Sequence, residues 1–202
     1  MGSQSATSQE KAVARTDEEL ILAFQGGRED AFSDLVRRYK DPLMNFAFRF
    51  LGDFDDADDV VQETFIRVYR NKHAYTPVAK FSTWIYTIAG NLAKSRLKSR
   101  NRHALFSISR SRSDDDGGPY EIPDTRYAAD AAAESAITSG LIQRALDKLS
   151  AKYKEIVLLC DVQELTYEEV CNITGLNMGT VKSRLNRARA KLKELLKEIE
   201  HG

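Results

Sequence analysis

Between Leu165 and Leu192 the sequence LTYEEVCNITGLNMGTVKSRLNRARAKL leaves little choice of local fold. Thr166, followed three residues later by Glu169, is the reciprocal capping arrangement that starts a helix. The run breaks at Thr174-Gly175, where glycine can take the left-handed conformation that closes a helix. A second helix is predicted from about Gly179-Thr180, with Thr180 as its cap. Helix, short glycine-bearing turn and helix make up the helix-turn-helix layout, in which the second helix enters the DNA major groove.

Helical periodicity assigns the faces of that second helix. At about 100° per residue, Val181, Leu185, Ala188, Leu192 and Leu195 share one side and must pack inward. Gly179, Lys182, Ser183, Asn186, Arg187 and Ala190 fall on or near the other side. Glycine at the helix start allows close approach to a phosphate. Lysine, serine, asparagine and arginine can hold phosphates or read base edges. The bland alternative is a solvated basic helix; the capped helix and turn before it favour DNA contact.

A formal net charge of zero would argue against a nucleic-acid partner, but the charge is segregated along the chain. Asp53, Asp55, Asp56, Asp58, Asp59 and Glu63 form an acidic block, and Lys94, Arg96, Lys98, Arg100, Arg102, Arg110 and Arg112 form a basic one. Segregation of this kind suggests one basic partner and one polyanionic partner. Cys160 and Cys171 lack CxxC spacing and sit in apolar-periodic contexts. They fit buried thiols in a reduced, cytoplasmic protein, with a redox switch as the alternative. His73, His103 and His201 lie far apart and read as surface residues, so no metal and no cofactor is expected. The polar N-terminus has no signal-peptide core, and no apolar run is long enough to span a membrane.

The organisation reads as all-α. Residues 1–15 are expected to be disordered. A helix follows Thr16 and ends at Gln25-Gly26-Gly27, a second runs from about Glu29 to Tyr39, and Pro42 is expected to open a third carrying Leu43, Phe46, Phe50 and Leu51. Gly52-Asp53 ends that one. The next helix starts at Asp55 or Asp56 and runs to about Asn71, with Val60, Val61, Phe65, Val68 and Tyr69 buried. Another covers about Ser82 to Arg100. Residues 103–134 lack periodicity and read as a flexible linker, too long for a connection inside one compact domain. Two small helical domains are therefore predicted, 16–102 and 135–202, the second containing the helix-turn-helix.

The segment Lys80–Arg102, KFSTWIYTIAGNLAKSRLKSRNR, mixes aromatic and basic residues. Phe81, Ile85, Ile88 and Leu92 share a face that reads as core, with Trp84 at its edge. Thr83, Tyr86, Thr87, Asn91, Lys94 and Lys98 fall outside it. Hydroxyls, an amide, a tyrosine and lysines on one exposed surface suit single-stranded DNA, where bases stack on aromatics and positive charge tracks the backbone. A solvated amphipathic helix is the alternative.

These segments resemble a known family. FSTWIYTIAGN resembles the region 2.3–2.4 signature of bacterial extracytoplasmic-function sigma factors, sigma-70 family group IV. DADDVVQETFIRVYRN is similar to their region 2.2, and the helix-turn-helix segment is similar to their region 4.2. The three occur in the family's order, so the resemblance spans roughly residues 17 to 200. It implies a non-catalytic subunit that binds core RNA polymerase at the β′ clamp and β flap, recognises promoter DNA and helps to open it. Asp58, Asp59, Gln62 and Glu63 would contact the clamp. Phe81, Thr83, Tyr86, Asn91, Lys94, Arg96 and Lys98 would face the minus-10 element, with the loop His73–Lys80 forming a flipped-base pocket. Gly179, Thr180, Lys182, Ser183, Asn186 and Arg187 would read the minus-35 duplex. The linker, with Asp114–Asp116, would thread toward the polymerase active centre, and an anti-sigma protein is an implied further partner.

Three positions depart from the family pattern. Ser95 stands where aspartate is common, Cys171 where alanine is usual, and Asn186 occupies a variable position on the reading face. The alternative is a stand-alone helix-turn-helix regulator of duplex DNA, which would have no need for the acidic and aromatic-basic helices. An enzyme acting on nucleic acid would need a site that no motif supplies.

Overall fold

Most helix boundaries in the structure, a computed structural model that describes residues 15–108 and 129–201, have an identifiable local cause. Helix α1 (Asp17–Gln25) starts on Thr16, whose Oγ1 accepts from the Glu19 N–H at 3.2 Å while the Glu19 carboxylate accepts from the Thr16 N–H at 2.8 Å. Helix α3 (Phe54–Arg70) starts on the Asp53 side chain, which accepts from the Asp56 N–H. Carboxylates in both first turns also suit the helix dipole. Among the described residues no strand is present, and the all-α class holds.

Helix α2 (Glu29–Leu51) corrects one expectation. Pro42 does not open a new helix; it sits inside a continuous one. Proline in a helix interior costs about 3 kcal/mol. Against that stands an unbroken buried stripe of Leu35, Tyr39, Leu43, Phe46 and Phe50. Each such side chain contributes about 1.5–3 kcal/mol on burial, so the stripe outweighs the proline. Tyr69, expected inside, is 46% exposed on the α1–α3 rim, packed edge-on against Phe32.

Helix α4 (Phe81–Ile108) and helix α5 (Ala129–Asp147) both run into the stretch read as linker. The N-terminal segment and Asp114–Asp116 lie outside the described residues, as do the side chains of His103 and His201. After α5 come α6 (Ala151–Val157), a five-residue π turn (Leu158–Val162), α7 (Tyr167–Thr174) and α8 (Met178–His201). Thr166 and Glu169 form the expected reciprocal cap on α7, and Gly175 closes it with φ of 70°. The cap of α8 is Asn177, whose Oδ1 accepts from the Thr180 N–H at 2.8 Å, so Thr180 lies in the first turn instead.

Two helical units result, α1–α4 and α5–α8, and they pack against each other through one continuous apolar core. Aromatic rings dominate the first unit: Phe24 on Phe32, Phe46 on Phe50, and Tyr39 on Phe81 at 5.3 Å. Val170, Ile173, Val181, Leu185 and Ala188 fill the second; of the inward face predicted for the second helix of the helix-turn-helix, Val181, Leu185, Ala188 and Leu195 are buried and Leu192 is half-buried.

The end of α2 joins the units. Its last four carbonyls have no partner within the helix. Gly52, left-handed at φ 72°, donates to Phe48 O at 2.8 Å. The Arg49 carbonyl accepts from Gln143 Nε2, Phe50 from Lys154 Nζ at 3.0 Å, and Leu51 from the Arg100 guanidinium at 3.0 Å. Two of these donors come from the second unit. A Cβ on Gly52 would stand 3.1 Å from the Asp147 carboxylate, which itself accepts from Lys154. Gly52→Ala is therefore expected to lower unfolding stability by about 1–2 kcal/mol through the left-handed backbone alone. Chemical denaturation monitored by circular dichroism measures it, and an unchanged midpoint would contradict the strain.

Candidate nucleic-acid interface

Helix α8 places its predicted contact residues as periodicity assigned them. Gly179, Lys182, Ser183, Asn186, Arg187 and Ala190 are exposed along one side, Thr180 is half-buried, and Val181, Leu185 and Ala188 are buried opposite. The Ser183 hydroxyl donates to the Thr180 carbonyl, and Lys182 Nζ lies 5.8 Å from the centre of the Tyr167 ring. Arg189 holds Asp161 with two hydrogen bonds at 2.6 and 3.0 Å, fixing α8 against the π turn. The open side of α8 thus carries donors aimed at solvent on a helix whose other side is locked.

The first helix surface looks different. Asn91, Arg96 and Lys98 are exposed and Lys94 is half-exposed, but Tyr86 and Thr83 are 3% and 5% exposed. The reading of Thr83 and Tyr86 as part of an exposed surface is therefore corrected: the Tyr86 ring packs edge-on against Tyr39 and Phe46 of α2, and α7 packs along α4. The Tyr86 hydroxyl donates to Gln163 Oε1, and burial pushes its pKa up, so it stays a neutral donor. Phe81 is fully buried, ringed by Tyr39, Tyr75 and Trp84, and offers no face to a base in this conformation. Arg96 is not free for phosphates either: it bonds Asp56 and Asp59, and Arg100 also reaches Asp56. The acidic and basic blocks therefore partly neutralise each other within the first unit.

The loop before α4 is fixed at its base and open at its tip. Gln25 Nε2 donates to the carbonyls of Lys72 and Tyr75 at 2.7 and 2.9 Å. Glu18 accepts from the Phe81 N–H at 2.9 Å, and the Tyr75 hydroxyl donates to Ala79 O. Val78 at the tip is 93% exposed. On α3, Asp59 and Gln62 are exposed and Asp58 and Glu63 half-buried. Gln62 donates to Asp58 at 2.6 Å, and Arg67 pairs with Glu63 one turn on. These four residues sit together on one helix surface, as the spacing requires.

The family profile described as Sigma-70 region 2 matches residues 35–103, and that described as Sigma-70, region 4 matches residues 139–192. The chain is 32% identical over 179 residues to the ECF RNA polymerase sigma factor SigW of Bacillus subtilis, covering 89% of this chain and 96% of that one. The chain belongs to the ECF sigma factor family. It is also 34% identical over 173 residues to the ECF sigma factor SigE of Mycolicibacterium smegmatis, covering 82% of this chain and 62% of that longer relative. Among solved structures it is similar to the sigma factor RpoE from Bartonella quintana, crystallised in complex with the anti-sigma factor NepR. The TM-score is 0.65 at 25% identity, over 82% of this chain and 96% of that one.

Several residues that the sequence reading of this sigma factor passed over line the contact between its units. Lys154 and Glu155 are 5% and 7% exposed inside a run that continues IVLLC. Helical spacing was the available signal, since Lys154 lies one turn from both Ser150 and Leu158. Burial lowers the Lys154 pKa, opposed by its bond to Asp147. Burial alone would raise Glu169, but Lys80 and the Thr166 N–H and hydroxyl bring it below the ordinary glutamate value. Among the described residues no cluster of three or more metal-ligating side chains occurs.

Both cysteines are free and only partly buried, short of the full burial expected. Burial, with the nearby Asp161 carboxylate, pushes the Cys160 thiol up to about 11. Against its ordinary value of 9.0, that leaves about a hundredfold less thiolate at neutral pH. Intrinsic nucleophilicity rises with pKa and recovers about tenfold of this. Alkylation of Cys160 by iodoacetamide at neutral pH is expected to run about tenfold slower than that of a small free thiol. Peptide mass spectrometry over time measures it, and faster labelling would revive a redox-sensor reading.

Proposed function

We propose that this sigma factor binds core RNA polymerase, grips a promoter at two points and helps to open it. The observation that carries this reading is the pairing, in one chain and in order, of a region 2 unit with a helix-turn-helix whose outward face is basic and unobstructed. Gly179, Thr180, Lys182, Ser183, Asn186 and Arg187 would read the minus-35 element as duplex. Lys80, Asn91, Lys94 and Lys98 would hold the opened minus-10 strand, with the loop tip at Val78 and the Tyr75–Phe81–Trp84 cluster beneath it as the base-capture region. Arg96 is better assigned to holding α4 on α3 than to phosphate contact.

Asp58, Asp59, Gln62 and Glu63 on α3 would form the surface for a basic partner on the polymerase clamp. Region 4 would dock on the flap. The factor's own chemistry is binding and strand capture; phosphodiester synthesis belongs to the core enzyme. Acting on that polymerase would place it in the cytoplasm. An anti-sigma protein is a further expected partner, by analogy with the Bartonella quintana complex. Nothing favours a stand-alone regulator, because the region 2 unit would have no use in one.

Arg187→Ala is expected to weaken promoter-dependent transcription by about 1–3 kcal/mol equivalent while leaving core binding unchanged. In vitro transcription with reconstituted holoenzyme, alongside a core pull-down, reads both. Equal loss in the two assays would refute the separation of roles. Asp58→Lys is expected to do the reverse, weakening the core complex by about 1–3 kcal/mol without altering the region 4 fold. Titration of labelled factor into core polymerase measures it, and unchanged affinity would remove Asp58 from that surface.

A further inference from the structure

The contact between the units has a chemical pattern that apolar packing does not require. Three cations or hydroxyl donors along one side of the first unit each meet an acceptor from the second. Lys94 Nζ lies 2.8 Å from Glu155 Oε1, Lys80 Nζ lies 2.9 Å from Glu169 Oε1, and the Tyr86 hydroxyl donates to Gln163 Oε1. Glu155 is 7% exposed, and Lys94 is the only cation paired with it among the described residues. Gly90 makes room for it: a Cβ there would stand 3.3 Å from the Glu155 carboxylate. The π turn serves the same contact, since its Gln163 N–H bonds back to Leu158 and sets the Gln163 side chain against Tyr86. Lysines and a tyrosine along one helix face suit a nucleic-acid strand, and carboxylates at phosphate-like positions are the natural intramolecular substitute.

We propose that region 4 is an internal competitor for the minus-10 strand: in the closed chain Glu155 and Glu169 occupy, on Lys94 and Lys80, the places that strand phosphates take in the open one. This rests on the assignment of the α4 face to strand binding made above. The partner for that face in the free protein is the chain's own second unit, held by Gln143 and Lys154 on the end of α2. Single-stranded DNA and closure are then mutually exclusive, because both need Lys80 and Lys94. Glu169 also caps α7, so a change there would damage the helix-turn-helix; Glu155 has no such second duty among the described bonds and is the residue to alter.

The experiment uses the full chain and three variants, Glu155→Ala, Glu155→Lys and the double exchange Lys94→Glu with Glu155→Lys. Small-angle X-ray scattering reports closure, and fluorescence anisotropy with a labelled AT-rich single-stranded oligodeoxynucleotide reports strand binding. Circular dichroism confirms that each variant is folded. The wild type is expected to be compact, Glu155→Lys to be expanded and to bind the oligonucleotide at least about fivefold more tightly, and Glu155→Ala to fall between. The double exchange should return to the compact form. An extended wild type, or a Glu155→Lys variant as compact as wild type, would overturn the closed form. Expansion without tighter strand binding would overturn the competition. If opening and its reversal occur but no form, open or closed, binds the oligonucleotide, the competition fails together with the strand-binding assignment of α4. In that case the scattering still upholds a closed form held by Lys94 and Glu155.

Discussion

The structure depends on how the last turn of α2 is completed. Four backbone carbonyls emerge there with no helical partner, and each unmet acceptor in a buried setting would cost about 1–3 kcal/mol. One is met by the Gly52 N–H and one by Arg100 of the same unit. The other two are met by Gln143 and Lys154 of region 4. The apolar core that continues across the contact adds area but little direction. The carbonyl-donor pairs fix which part of region 4 lies against which part of region 2. They explain why Lys154, a residue type almost never buried, is tolerated at 5% exposure: its ammonium bonds a helix end carrying partial negative charge and the Asp147 carboxylate.

Charge segregation in the sequence turns out to serve two scales. Within region 2, Arg96 and Arg100 from the basic block fold back on Asp56 and Asp59. That pairing holds α4 on α3 and removes these arginines from the count available to DNA. What remains outward is narrower than the sequence suggests: Lys80 and Lys94 at the edge of the interdomain contact, Lys98 and Arg102 beyond it, and the Asp58–Glu63 turn on the other side. On α8, by contrast, Lys182 and Arg187 have no ion-pair partner among the described residues. Arg189 on that helix is committed to a structural pair with Asp161.

Much of this was legible in the sequence because it is local. The Thr166–Glu169 cap, the Gly175 and Gly52 stops, and the two faces of α8 all follow from residue type and spacing. So did the acidic helix and the division into two units, which are also the features that point to the sigma factor family. Pro42 was misread because a local rule met a tertiary one: five buried side chains along α2 outweigh a single proline. Tyr86 and Thr83 were misread for a different reason. Periodicity gives the face of a helix, but it cannot say that α2 takes the Tyr86 ring or that α7 of a second unit packs along α4. Lys154 and Glu155 were missed because a charged pair in an apolar run reads as solvent-facing unless the helix phase is followed through Leu158.

A buried ion pair is a poor source of net stability, since desolvation offsets most of the attraction. That is a reason to expect the Lys94–Glu155 contact to be reversible rather than permanent. If apolar packing alone held region 4 on region 2, separation would cost in proportion to buried area, and any partner would have to supply all of it. A contact in which the charged pairs roughly break even leaves a smaller gap to be closed. A strand of phosphates can then compensate Lys80 and Lys94 as well as the carboxylates do. The donors at the α2 end would still have to be released, and water can satisfy both those carbonyls and the freed Lys154. The two kinds of bond thus divide the labour, with the helix-end pairs setting where region 4 sits and the ion pairs setting how readily it leaves.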